Sequence, residues 1–407
     1  MNSRRLLTIF VIVFINLLGF GLILPLLPYY AERFDASSTV VGLLIASYSA
    51  AQFIGAPLLG RLSDQFGRRP VLLLSIVGST LGFILLGVAD VLWLIFASRV
   101  IDGLTGGNIS VARAYITDVT DEKNRAKGMG LIGAAFGLGF VIGPAMGGLL
   151  STGERYALPA FVAAGLSFVS LINAYAWLPE TLDNRQRAEM KRNGNGSFSW
   201  AVLKNVLSRP GVAALLQISF VFGLVFAMFE GVFSLYSQKH LELESNQTGY
   251  LLAYVGLLFA FVQGGAIGRL AQRFSEGQLI VGSSAILVPS MLGWAYAPTM
   301  LSLVVVLTPL SLAVGVLSTT IHSVLTKQVK NQEVGGVLGV ASSIGSVTRI
   351  LGPITGAILL DVLGTWAPGL FGALLVSWLL FYARHYIVRD ARRTSAMTGI
   401  EGKQSRV

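Results

Sequence analysis

Twelve apolar runs divide this chain almost from end to end. A helix of about 20 apolar residues crosses the hydrocarbon core of a bilayer. In lipid each such segment must satisfy its own backbone polar groups, which a helix does. The runs fall at 6–30, 39–59, 71–89, 91–113, 128–150 and 158–178, then at 211–237, 248–268, 278–297, 299–322, 336–360 and 366–387. The expected fold class is an all-α membrane protein of twelve transmembrane helices. Arg4 and Arg5 ahead of the first run resemble a secretory signal, but the run carries no Ala-x-Ala-like cleavage site and is expected to be a retained helix.

The runs come in two sets of six. Gly42-Leu-Leu-Ile-Ala-Ser-Tyr48 returns as Gly249-Tyr-Leu-Leu-Ala-Tyr254, Gly60-Arg-Leu-Ser-Asp-Gln-Phe-Gly67 as Gly268-Arg-Leu-Ala-Gln-Arg-Phe-Ser275, and Gly143-Pro-Ala-Met-Gly147 as Gly352-Pro-Ile-Thr-Gly356. Three landmarks in the same order, at offsets of 207, 208 and 209 residues, mark an internal duplication. The expected organisation is a six-helix bundle over 1–180, a polar linker over 181–210 containing Asn193-Gly-Asn-Gly196, a second bundle over 211–390, and a basic, unstructured cytoplasmic tail over 391–407. Duplications of this kind are common in secondary transporters, with the site near the bilayer midplane between the repeats.

Composition narrows the functions. Hydrophobic residues make up 54% and charged residues 12%, and the mean hydropathy is +0.70, which leaves too little polar surface for a soluble protein of this size. There is no cysteine, and His240, His322 and His385 are scattered, so no metal cluster or thiol chemistry is expected. No run offers a nucleophile with a base or a phosphate loop, so the chain is not expected to be an enzyme. With the N-terminus inside, 25 of the 30 Lys and Arg fall on the cytoplasmic side, Arg113 among them, and both termini are cytoplasmic. The net charge of +10 is therefore topological and implies no nucleic-acid partner.

Ionisable residues inside apolar runs are costly and point to function. Arg99 and Asp102 lie three apart in the fourth run, Glu230 in the outer half of the seventh and Arg349 near the middle of the eleventh. Among Phe226, Met228, Phe229 and Phe233, the Glu230 carboxyl suits a proton carrier or a binder of cationic substrate; the alternative is a permanent ion pair with Arg349. Arg99 and Asp102 could neutralise each other. Asn16, Gln52, Asn108, Tyr254 and Gln263, with Phe20, Tyr48, Phe226 and Phe229, are the candidate lining of a weakly polar, aromatic cavity for amphipathic compounds. In the loop after the second run, Gly60 and Gly67 allow a tight turn and close backbone approach, while Asp64 can face the N-terminus of a neighbouring helix. In the fifth run, Gly133, Gly137, Gly143, Pro144, Gly147 and Gly148 let helices pack closely.

These motifs resemble the major facilitator superfamily, and within it the twelve-helix drug/proton antiporters that include the tetracycline exporters. Gly60 to Pro70 is similar to the superfamily's signature loop, Arg99-Val-Ile-Asp-Gly103 to its fourth-helix motif, and Gly133 to Gly148 to the fifth-helix antiporter motif. The resemblance implies two pseudo-symmetric six-helix bundles that alternate access, a cytoplasmic gate in which Arg68, beside Arg69, pairs with Asp118, a fifth helix that slides or seals against ions, and a part for Arg99 in proton coupling. It also implies proton-coupled efflux of small molecules by a monomer in the cell membrane, with a proton gradient and no cofactor. Two departures matter: Asp102 stands where the motif commonly has glutamine, and Asn16 where tetracycline exporters carry an acid. Asn16 cannot titrate, so protons would use Glu230 or Asp102. Transport of one specific metabolite, such as a sugar or organic anion, and translocation of lipid are the alternatives on the same fold.

Overall fold

The computed structural model describes residues 3–151, 156–183, 186–187, 208–329 and 334–404, so most of the expected linker lies outside the described residues. Helix α1 (Ser3–Ile23) passes through a 3-10 turn (Leu24–Leu26) into α2 (Leu27–Glu32). Pro25 and Pro28 lack the amide that would continue the α ladder. There follow α3 (Ser38–Phe66), α4 (Arg68–Gly87), α5 (Leu92–Thr105), α6 (Asn108–Val119), α7 (Glu122–Leu150) and α8 (Ala157–Trp177). The second repeat begins with α9 (Pro210–Leu241) and α10 (Ser245–Phe261), which runs through a π turn (Val262–Ala266) into α11 (Ile267–Arg273). It ends with α12 (Glu276–Ala295), α13 (Met300–Lys327), α14 (Val334–Leu363) and α15 (Ala367–Gln404).

Among the described residues, eleven helices are long and apolar enough to cross a membrane. The expected fourth span is α5 with α6, broken at Gly106-Gly107 into two pieces too short to count singly. The break follows from packing: a Cβ on Gly107 would stand 2.6 Å from Ala56 Cα, so this stretch lies directly on the α3 backbone. Because α6 runs on to Val119, Arg113 belongs to the helix and not to the cytoplasmic loop where charge counting placed it. The expected unstructured tail is likewise corrected. Helix α15 continues through 391–404, where no proline intervenes to end it, in spite of Gly399 and Gly402.

The chain divides into two compact units, and their borders are not those of the two repeats. The first holds residues 1–199 with 227–260 and 346–368; the second holds 200–226, 261–345 and 369–407. Parts of α9, α10 and α14 join the first unit through glycine contacts that sequence spacing does not reveal. A Cβ on Gly249 would meet Pro144 O at 2.6 Å, one on Gly256 would meet Phe140 O at 2.5 Å, and one on Gly352 would meet Met228 N at 2.6 Å. The core of the first unit is formed by Ile9 and Val13 of α1, Leu72 of α4, Val111 and Tyr115 of α6 and Ile132 of α7. In the second unit α12 and α13 start with reciprocal caps, Ser275 with Gln278 and Thr299 with Ser302. Glu276 then ties the two helices together through Lys327 at 2.8 Å.

Candidate functional site

The charged loop after α3 is organised by one buried guanidinium. Gly67 has φ of 107°, which favours glycine, and lets the chain reverse between α3 and α4. Arg68, only 5% exposed, donates from Nε to Asp118 at 3.0 Å, from Nη1 to Asp64 at 2.5 Å and from Nη1 to the Ser63 hydroxyl at 2.7 Å. The structure thus brings Arg68, Asp64 and Asp118 together, all within the first repeat. Sequence reasoning missed Glu180, whose carboxylate accepts from the amides of Arg68 at 3.0 Å and Arg69 at 3.2 Å and so caps α4. The only signal was an acid next to Pro179 just past the sixth span. Arg69 stands apart from the ion pairs: it donates to Tyr175 O at 2.8 Å and lies over the Tyr175 ring. A Cβ on Gly60 would meet nothing within 4 Å, so close approach is not the reason for a small residue there.

On α7 the glycines divide into three groups. Gly143 and Gly147 face α1, where a Cβ on Gly143 would stand 2.9 Å from Gly21 Cα and one on Gly147 2.5 Å from Leu22 O. Gly148 and the Pro144 carbonyl face α10, where a Cβ on Gly148 would stand 2.8 Å from Asn246 O, while the Pro144 ring faces Gly21 of α1. Gly133 meets open space and Gly137 only an ordinary contact at 3.9 Å, so the expected close packing does not include them. Gly139, next to Leu17 at 2.8 Å, takes their place.

Within the membrane, Arg99 and Asp102 are each 2% exposed and pair through Nη1 and Oδ2 at 3.3 Å. The Arg99 guanidinium also lies 5.7 Å from the Phe83 ring centre. Tyr48 is within electrostatic reach of Arg99, Asp102 and Arg349, and accepts from Gln52 Nε2 at 3.3 Å. Glu230, half-buried, lies within reach of Arg349. Arg349 is exposed and also feels Arg113, itself exposed, on α6. Three of the ionisable groups singled out in the sequence thus lie around Tyr48, and the fourth, Glu230, joins them through Arg349.

Aromatic rings flank them. Phe20 stands 5.1 Å from Tyr48 and 6.2 Å from Phe140, which stacks on Phe136 at 6.4 Å. A small pocket between α1, α3 and α5 is lined by Phe20, Leu24, Leu27, Ile45, Tyr48 and Arg99. Other expected lining residues lie elsewhere. Phe229 is 1% exposed and packs on Phe233 at 5.2 Å, filling the core in place of a cavity wall. Asn108, 1% exposed, faces a separate pocket bounded by α1, α4 and α8. Tyr254 is half-buried on α10. Phe226, which pairs with Phe222 at 6.2 Å, and Gln263, exposed in the π turn, belong to the second unit.

The opposite end of α3 holds a second polar cluster that the sequence did not suggest. Asp361, in the last turn of α14, accepts from Thr39 N and Oγ1, both at 2.7 Å, and from Ser38 N at 3.2 Å. Lys239 of α9 lies 3.6 Å from the Asp361 carboxylate and donates to Ser38 Oγ at 2.6 Å. Nearby Tyr29 bonds to Leu243 O at 2.9 Å and the Thr248 hydroxyl at 2.7 Å.

A duplicated, nearly all-helical membrane protein with ion pairs held inside its spans is a transporter. The chain belongs to the Major Facilitator Superfamily, whose family model matches residues 9–313 and 267–405. Among its relatives, the class C tetracycline resistance protein of Escherichia coli is 32% identical over 97% of this chain and 98% of that one. The class H protein of Pasteurella multocida is 30% identical over 94% and 96%. Among solved structures, the human organic anion transporter MFSD10 is 25% identical, with a TM-score of 0.68 over 94% of this chain and 99% of that one. A bacterial homologue of the lysosomal transporter Spinster, at 15% identity and TM-score 0.77, covers 96% and 97% and supports the fold.

Proposed function

We propose that this protein is a monomeric, proton-coupled exporter of amphipathic small molecules, working by alternating access in a bacterial inner membrane with both termini in the cytoplasm. The observation that carries this reading is the meeting of Arg99, Asp102 and Arg349 around Tyr48, with Glu230 beside Arg349 and the aromatic group of Phe20, Phe140 and Phe136 next to them. Titratable carboxyls beside weakly polar, ring-rich walls give a place both for protons and for compounds with few fixed hydrogen-bonding groups. Relatives named as tetracycline resistance proteins support export of a drug-like compound. Asn16 borders the pocket that also holds Asn108 and cannot carry charge, which leaves Glu230 and Asp102 as the proton groups. When Glu230 is protonated, Arg349 loses its acid; when it is ionised, the pair closes again. Exchange with substrate is the coupling. The energy source is the proton gradient, with no cofactor: one proton entering down 100 mV releases about 2.3 kcal/mol, enough for a gradient of about fiftyfold in a neutral compound.

The test uses everted vesicles and fluorescent dyes of different charge. Glu230→Gln should abolish dye movement driven by a pH gradient while leaving dye-for-dye exchange. Undiminished proton-driven movement would remove Glu230 from the mechanism.

A further inference from the structure

Asn108 is buried inside the first repeat with its side-chain amide unengaged. It is the first residue of α6, 1% exposed, and neither Oδ1 nor Nδ2 of its amide has a hydrogen-bond partner. It faces a pocket inside the first repeat lined by Asn16 of α1, Ser79 and Phe83 of α4, and Ser167 and Ser170 of α8. The Ser170 hydroxyl, on a residue 2% exposed, is also unpartnered, whereas Ser167 is engaged by Thr80 at 2.9 Å. Buried amide and hydroxyl groups are almost always hydrogen-bonded, and where protein partners are missing the partner is ordered water. Polar atoms from α6 and α8 converging on a cavity with room for one water supply the two to four bonds that it needs.

This pocket borders the ion pair. Ser79 lies beside the Asp102 carboxylate, and a Cβ on Gly82 would touch Asp102 Cβ at 3.0 Å. On the other side Arg99 lines the pocket of Phe20 and Tyr48, and its Nη2 has no hydrogen-bond partner. Phe83 divides the two spaces. Its ring lies under Arg99 at 5.7 Å, and its far edge is so close to α1 that a Cβ on Gly19 would stand 2.8 Å from it.

We propose that the pocket around Asn108 holds one ordered water through which, by way of the Ser79 hydroxyl, Asp102 gains and loses its proton, and that Asn108 is the residue positioning that water. The inference rests on the proton-coupled reading given above. The transfer is balanced: the Asp102 O–H bond breaks as the Ser79 hydroxyl takes the proton and gives its own to the water, which passes one on, and the carboxylate left behind is held by Arg99. Asn16, half-exposed at the pocket wall, gives that water its polar outlet. An asparagine there accepts and donates to water without trapping the proton, as an acid would.

The experiment compares two rates in proteoliposomes, using a dye that the wild-type protein transports: dye movement driven by an imposed pH gradient, and dye-for-dye exchange without one. Asn108→Leu, which removes both amide atoms and fills the pocket, should lower the ratio of driven to exchange rate at least tenfold, with Asn108→Ser within about threefold of wild type. A merely structural role would lower both rates together. That result, or an unchanged ratio, overturns the proposal. Should Asn108→Leu fail to fold, Ser170→Val fills the far wall of the same pocket and is expected to lower the ratio in the same direction. Wild-type protein that exchanges dye but ignores the pH gradient would overturn the proton reading and this inference with it, whereas a gradient-driven wild type with an unaffected Asn108→Leu overturns this inference alone.

Discussion

The carboxylate of Asp361 accepts from both the amide and the hydroxyl of Thr39, each at 2.7 Å, across 322 residues of sequence. An acid in the last turn of a helix is opposed by that helix's own dipole. At the start of α3 the same charge is favoured, because the first amides of a helix have no internal partners. Ser37 takes the amide of Val40, so the first three donors of α3 are all satisfied.

Asp361→Asn should loosen this end of the first unit by about 1 kcal/mol, a shift of about fivefold in the population that opens there. The chain has no cysteine, so a single Ser151→Cys reports without background. Ser151 is 2% exposed and bonds to Ser245 at 2.8 Å. Its labelling by an impermeant maleimide should rise several-fold when Asp361→Asn is added; equal labelling would show that the contact does not hold the closure.

Glu180→Ala should lower thermal stability in detergent. It strips the cap from α4 and frees Arg187, which pairs with Glu180 at 3.4 Å. Loss of a helix cap costs about 0.5–2 kcal/mol. Arg69→Ala, which removes a carbonyl contact and a ring contact at the surface, is expected to cost less in the same thermal-shift assay.

Two glycines on α7 should behave oppositely. Gly143→Ala forces a methyl to within 2.9 Å of the Gly21 backbone, whereas Gly133→Ala meets open space. Overpacking of the first kind costs about 1–3 kcal/mol. Gly133→Ala is expected to melt at or slightly above the wild-type temperature, since alanine is the better helix former. Equal melting of the two variants would contradict the assigned seam.

Arg349→Met should destabilise the protein more than Arg349→Met combined with Glu230→Gln, because the single change leaves a half-buried carboxylate without its cation. Melting curves for the four proteins of the cycle give the coupling directly. Additive effects would mean that the two residues do not act as a pair.

The helices were legible because apolar runs of membrane length have few other ways to satisfy their backbones. The charged residues inside them were legible for the same reason, since each stands out against its run. What could not be read was partnership at a distance. Nothing near Glu180 announces that it caps α4, and nothing near Asp361 announces Thr39. Asn108 is plainly polar in an apolar run, but a period of 3.6 does not say which of several neighbours a face meets, and in the fold it faces α1, α4 and α8. The glycine pattern on α7 had the same limit: spacing marked a close-packed helix, and only the approach of α1 and α10 separates Gly143 and Gly148 from Gly133.

Helix α3 is continuous over 29 residues, about 43 Å long, with a carboxylate engaged at either extremity: Asp361 at Ser38 and Thr39, Asp64 at Arg68. Pro57 lies between the two tips and leaves one backbone hydrogen bond of the helix unmade, so α3 has a place to bend while both ends stay held. Freeing the Asp361 tip therefore lets the outer part of α3 swing about Pro57 while the Asp64 tip keeps its grip on Arg68.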